Sequence, residues 1–457
     1  MNQRPDVNGI VEGVIWKQLL LFFFPIVFGM FFQQLYNTAD AIIVGKVVGK
    51  EALAAVGGTT GMLINLLVGF FVGVSSGASV IIAQYYGARR GEDVSCAVHT
   101  TIALSLVGGA ALMVVGMLLA EDILRLMGTP EEVLVHALAY IRVYFIGVIP
   151  QLIYNIGSGV LRAVGDSRRP MMFLISAALT NIVLDVVFVI GFDMGVRGAA
   201  IATVASQCVA ALLVMITLCN ASGAYRVRMR SIRFHGAMLL RIIHIGLPAG
   251  LQSVMYSLSN VIIQASVNGF GTDVMAAWTA YGKIDGLFWM VCSAFGVAIT
   301  TFAGQNFGAH RYDRMRRSVR VCMGLAAGTT IMMSTGIFLF GRTLLSLFTD
   351  DAHVLETGVQ IIRQIVPLWI TYLSIEILSG AMRGAGDSLV PTLMTLTGVC
   401  LMRVFWVSVI VPMHHRMNVL LMSYPITWTM TSVMFITYYL RGKWLKRCIA
   451  RQEAQKE

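Results

Sequence analysis

Runs of about twenty apolar residues recur from one end of this chain to the other, and they restrict its fold before any motif is considered. A helix needs about 20 mostly apolar residues to cross the hydrocarbon of a bilayer. Inside hydrocarbon only helices and closed barrels satisfy their own backbone polar groups. Charge clusters and Gly/Pro punctuation divide the sequence into helices at about 15–44, 52–85, 94–120, 132–160, 169–191, 196–220, 238–267, 273–306, 315–341, 352–380, 389–411 and 417–440. Of the 457 residues only 12% are charged, against about 25% in a soluble domain. The expected fold class is an all-α integral membrane protein with twelve transmembrane helices. The first apolar run is too long for the core of a cleaved signal peptide, and a second span follows it closely.

The formal charge of +11 is explained by where the basic residues fall. They gather on alternate loops: the N-tail, Arg89–Arg90, Arg162–Arg169, Arg226–Arg241, Arg311–Arg320 and the C-tail. This bias places both termini in the cytoplasm of a multi-pass protein of the cell inner (plasma) membrane, and it makes a nucleic-acid partner unnecessary. The seven cysteines lack CxxC spacing and lie mostly in apolar runs, so they read as small buried hydrophobes rather than disulfide or metal ligands.

The sequence also repeats itself. LRAVGDSRRP at Leu161–Pro170 returns as MRGAGDSLVP at Met382–Pro391, and AQYYGARRGED at Ala83–Asp93 returns as GQNFGAHRYDR at Gly304–Arg314. Pro25 in the first span is mirrored by Pro248 in the seventh. Two homologous six-helix lobes are expected: 1–224 with spans one to six, a cytoplasmic linker at 225–237, 238–441 with spans seven to twelve, and a basic tail at 442–457. Parallel repeats of this kind, with a site near the midplane, are a transporter architecture. The two Gly-Asp-Ser elements read first as helix stops, with Gly ending one helix and Asp or Ser capping the next; a gating role is the alternative. No GxxxxGK[ST] is present, which favours an ion gradient over ATP as the energy source.

One polar residue stands out in the first span. Asp40 lies within the apolar stretch Phe22–Gly45, where a bare carboxylate costs about 3 kcal/mol or more. It is either a proton or cation site of a transporter or an acid solvated at the membrane edge.

QQLYNTADAIIVGKVVGKEALAAVG, the QYYGARRGE after span two, the paired RAVGDSRRP and RGAGDSLVP elements and the 6+6 plan together resemble multidrug and toxic compound extrusion (MATE) transporters. The resemblance covers nearly the whole chain. It implies two lobes around a central cavity open alternately to each side, and export of amphiphilic, mostly cationic compounds in exchange for H⁺ or Na⁺. It implies a transporter rather than an enzyme, with no cofactor beyond the coupling ion and with a single chain as the working unit in membrane lipid. One branch of the family holds its cation in the N-terminal lobe, and its pattern maps onto Tyr36 and Asp40, Asn181 and Asp185, and Thr203. Gln33, Tyr36, Tyr140 and Asn155 match cavity-lining positions for substrate. Pro25 would be the bend point of span one or, more plainly, a static kink. The branch with acids on spans seven and ten fits poorly, because span seven has none.

Helical rise gives a separate check. At about 1.5 Å per residue, Asp40, Asp185 and Thr203 lie about 6–12 Å below the outer boundary on three different spans. Tyr36 and Asn181 sit one turn deeper on the same faces. Two carboxylates at one apolar level cannot easily both stay charged, so one carries a proton or a cation sits between them. Asp, Asn and Thr oxygens suit a hard cation such as Na⁺, whereas transition metals want His or Cys. The equivalent positions in the second half are Ile263, Met402, Trp406 and Tyr424, so the ion site is not duplicated.

Lys283 and Asp285, two apart on a helix, do not face each other. Each wants another partner: one reading is a buried ion pair of Glu376 with Lys283 or Arg403, the other that Asp285 or Glu376 attracts cationic substrate. His99 and His244 read as satisfied interfacial histidines, and the 27 methionines and 23 phenylalanines as lipid-facing or packing residues, some giving the cavity an adaptable wall. A lipid or lipid-linked glycan flippase is the rival function. A channel or receptor suits the doubled plan less well.

Overall fold

The computed structural model describes residues 9–454; Arg4 of the N-tail and Lys456 of the C-tail lie outside them. Among the described residues, eleven helices are long and apolar enough to cross a membrane, or twelve when one bent pair counts as a single span. In order, the spans are Ile15–Val47, Leu63–Gly87, Gly91–Leu126, the pair Glu131–Ile146 with Val148–Ala163, Arg168–Gly191, Gly195–Cys219, Gly236–Asn268, Thr272–Gly308, Tyr312–Leu345, Ala352–Gly384, Leu389–His414 and Met417–Leu440. They are called spans one to twelve below. The protein is nearly all helical, as its apolar runs require.

Four spans depart from a plain α-helix, and two of these departures have causes that can be named. Span four bends by 50° at Gly147. There an added Cβ would meet Val204 of span six at 2.7 Å, so only glycine permits the approach. Span ten contains a tighter 3₁₀ stretch, Val366–Thr371, entered through Pro367, whose ring and missing N–H interrupt the ladder. Span five winds as a π-helix over Val186–Gly191, directly after Asp185. Span eleven does so over Leu396–Leu401 and again over Trp406–Ile410. π-Helical turns are rare and concentrate at functional sites. Pro25 lies buried inside the unbroken helix Ile15–Val47.

The chain forms two compact units, one of Leu21–Val254 and one of Met1–Leu20 with Met255–Glu457. Spans one and seven therefore each begin in one unit and finish in the other. The repeat is written into the backbone of both. Left-handed residues recur at matching places: Gly49 and Gly271, Arg89 and His310, Gly165 and Gly386, Asp193 and His415. The π-helical turn after Asp185 has its counterpart at Trp406–Ile410.

The first Gly-Asp-Ser element is a helix stop. Gly165 turns with φ 102°, and the Asp166 carboxylate accepts hydrogen bonds from the backbone N–H of Arg168 and Arg169, both at 3.1 Å. It thereby satisfies two of the free donors that begin span five. In the second element Asp387 instead accepts from the Tyr438 hydroxyl at 3.3 Å. His99, buried on span three, contacts the Ser95 carbonyl through Nδ1 at 2.7 Å and accepts from the Arg228 backbone N–H through Nε2 at 2.9 Å. It is satisfied, as expected, and it fastens the segment after span six to span three.

Candidate functional site

Within the unit Leu21–Val254, the predicted polar residues come together. Asp40 is 7% exposed, Thr203 6%, and Asn181 and Asp185 are fully buried. Val44, Val189 and Ala199, each one helical turn from Asp40, Asp185 and Thr203, belong to a single buried cluster with Tyr140 and Tyr144. Spans one, four, five and six thus converge at one level. Asp40 lies within electrostatic reach of Asp185, Tyr36 and Tyr140. The hydroxyl of Thr203 donates to the Ala199 carbonyl at 3.0 Å, which leaves its oxygen free to accept, and Tyr140 interacts with it.

The site is short of partners. Oδ1 of Asp40, both carboxylate oxygens of Asp185 and both amide atoms of Asn181 are buried without a hydrogen-bond partner among the described residues. Native proteins leave few buried polar atoms unmet, because each costs about 1–3 kcal/mol and more when charged. Five such atoms on three side chains form a set that a proton or a small hard cation can complete. The oxygens of Asp40, Asp185, Asn181 and Thr203 are the donors that would hold it.

Sequence reading missed part of this cluster. Tyr144 stacks on Tyr140 with ring centroids 6.0 Å apart, and its hydroxyl donates to Gln151 at 3.1 Å. Gln207 joins it from span six, with Oε1 unpartnered. The signal was present: Tyr144 and Gln207 each stand four residues after a named site residue, and four is the spacing that stacks side chains on one helix face. Of the substrate candidates, Gln33 is exposed and interacts with the half-buried Tyr36. Asn155 is half-buried on span four and does not join the hydrogen-bond network among the described residues.

In the other unit the equivalent positions also converge, without the chemistry. Ile263, Trp406 and Tyr424 share one apolar cluster, and the Trp406 indole donates to the Val419 carbonyl at 2.8 Å. An ion pair of Glu376 with Lys283 or Arg403 is not found among the described residues. Glu376 lies 3.9 Å from Arg383 on its own helix and accepts from Tyr372 at 3.3 Å, because positions four and seven away return to the same face. Lys283 is exposed. Asp285 accepts from Tyr281 at 2.9 Å and from the Trp289 indole at 2.7 Å. Arg403, 3% exposed, lies over the rings of Tyr424 and Trp428 at 4.2 and 5.8 Å and donates to Thr427 at 3.2 Å. Its Nε and the Trp428 indole N–H are buried and unpartnered.

Comparison with known proteins gives a consistent result. The family described as MatE matches residues 25–187 and 248–407, one segment in each half. The chain is 28% identical to the probable multidrug resistance protein YoeA of Bacillus subtilis, with 96% of each covered. It is 26% identical to the FAD transporter of Shewanella oneidensis over 77% of this chain and 78% of that protein. Among solved structures, one described as the outward-facing conformation of a multidrug resistance MATE family transporter matches with TM-score 0.89 at 24% identity, covering 98% of this chain and 100% of that one. A likeness at that identity speaks for the fold.

Proposed function

Because the chain belongs to the MatE family, whose members are efflux transporters, we propose that it exports amphiphilic, mostly cationic drugs by alternating access, driven by inward movement of H⁺ or Na⁺. The observation that carries this reading is the pair of buried carboxylates, Asp40 and Asp185, with unmet oxygens beside the unmet amide of Asn181. Occupation by a proton or Na⁺ relieves the repulsion between the two acids and supplies their missing partner, so the occupied and empty sites favour different packings of spans one, five and six. Pro25, which frees a carbonyl in span one, is where that helix would bend. The names of two relatives, a probable multidrug resistance protein of Bacillus subtilis and a multidrug export protein of Staphylococcus aureus, support export of drugs. The protein is then a transporter with no catalytic residues, working as a single chain in the inner (plasma) membrane.

Ethidium efflux from membrane vesicles, under a pH gradient or a Na⁺ gradient imposed separately, tests the reading. Asp40→Asn is expected to insert and fold like the wild type and to lose export under whichever gradient drives it. Wild-type export by Asp40→Asn sinks the coupling role.

A second substrate class has one observation in its favour. Arg403, buried among Tyr424 and Trp428 with an unmet Nε, suits an acidic group on a planar aromatic solute, and one relative is named an FAD transporter. FAD efflux in the same vesicles, lost in Arg403→Gln while ethidium efflux persists, is the outcome that separates the two.

A further inference from the structure

Span nine begins on a dense run of positive charge, with Arg311, Arg314, Arg316, Arg317 and Arg320 inside ten residues. Beside it, in the same compact unit, lies the helix Lys443–Ala454. That helix is amphipathic: Trp444, Leu445 and Cys448 are buried, while Lys443, Lys446 and Arg447 are exposed. The two elements border an open cavity of about 590 Å³ lined by Arg311, Arg314, Arg316, Arg317 and Lys446, with one carboxylate, Asp313.

The charge in this cavity is only partly met. Arg314 donates to the carbonyls of Ile10 and Gly13. Arg311 donates to that of Val11 at 2.9 Å and lies 4.0 Å from Glu12. These two arginines are therefore held in place by the N-terminal segment, with the charges of Arg311 and Arg317 both acting on Arg314. Arg316, Arg317 and Lys446 form no ion pair among the described residues. The first half of the chain shows the contrast. There the matching turn carries Arg90 paired with Asp93 at 2.6 Å, and the residue matching Asp93 in the second half is Arg314. A neutralised turn has become a cationic one.

We infer that this cavity binds the headgroup of an anionic phospholipid, its phosphate on Arg316, Arg317 and Lys446. Guanidinium forks match phosphate oxygens. A lipid rather than a soluble phosphate is favoured by position. The cavity lies where span nine starts, beside an amphipathic helix whose Leu445 and Ile449 add an apolar wall to the cationic one. Basic pockets and amphipathic helices at a membrane face recognise acidic headgroups in this way.

Native mass spectrometry of the full chain, released from micelles containing equal phosphatidylglycerol and phosphatidylcholine, tests the inference. The wild type is expected to retain phosphatidylglycerol preferentially. The double variant Arg316→Gln/Arg317→Gln is expected to hold it about 30-fold more weakly, at the usual worth of two such cationic contacts. Arg316→Lys/Arg317→Lys keeps the charge and should keep most of the preference. If the double glutamine variant does not fold, Lys446→Gln serves, with about fivefold weaker retention. Equal retention of both lipids, wild-type retention by every folded glutamine variant, or displacement of the lipid by millimolar glycerol 3-phosphate would each overturn it.

Discussion

Asp40, Asp185 and Asn181 show what a membrane interior does to ordinary polar chemistry. In water each would be solvated; here five of their atoms are buried without a partner among the described residues, and it is this unmet demand that the proposed ion site answers. The opposite case is Cys448, on the helix after the last span. Burial pushes its thiol up to about 12, so at pH 7.5 it is the neutral, unreactive form that persists. In a variant retaining only this cysteine, maleimide labelling at pH 7.5 should run roughly a thousandfold slower than for an exposed thiol, the thiolate fraction being lower by about that factor. The rate should climb with pH throughout the accessible range. Fast labelling at pH 7.5 would mean that the helix Lys443–Ala454 does not pack as described.

At the scale of elements, close approach depends on residues with no side chain. Span seven crosses span two through Gly246 and Gly250, which lie against Gly77 and Gly73. A Cβ at Gly246 would stand 2.3 Å from the Val74 carbonyl oxygen, and backbone cannot step aside as a flexible side chain can. Gly246→Val is therefore expected to force the helices apart, at about 1–3 kcal/mol, and to lower the thermal midpoint in detergent by several degrees. Gly328→Val on span nine, where a Cβ meets nothing within 4 Å, is the matched control and should leave the midpoint unchanged. Equal midpoints for Gly246→Val and the wild type would refute the contact.

For the whole molecule, the sequence carried the spans and the doubling because both rest on long signals: twenty-residue apolar runs, and motifs such as LRAVGDSRRP that recur in register. Asp40, Asn181, Asp185 and Thr203 were readable because helical rise alone puts them at one depth. The surroundings were not. Tyr144 and Gln207 stand one turn from Tyr140 and Thr203, but spacing along one helix does not say which neighbouring helix that face meets. Glu376 failed as a partner for Arg403 because sequence showed the charges but not the aromatic rings that hold the arginine. Orientation rests on charge bias and has a direct measurement. Green fluorescent protein fused after Glu457 should fluoresce and alkaline phosphatase fused there should be inactive, since both termini are expected in the cytoplasm. The reverse pattern would turn the whole assignment of sides over.

The left-handed residues shared by the two halves, Arg89 with His310 and Gly165 with Gly386, have a practical use for mutational scanning. Each of these joints comes with its own duplicate inside the same polypeptide, built to the same conformation but set among different side chains. Where the two members of a pair tolerate the same substitutions, the demand is one of folding. Where tolerance diverges, the difference belongs to the work each half performs, and one molecule supplies both the experiment and its control.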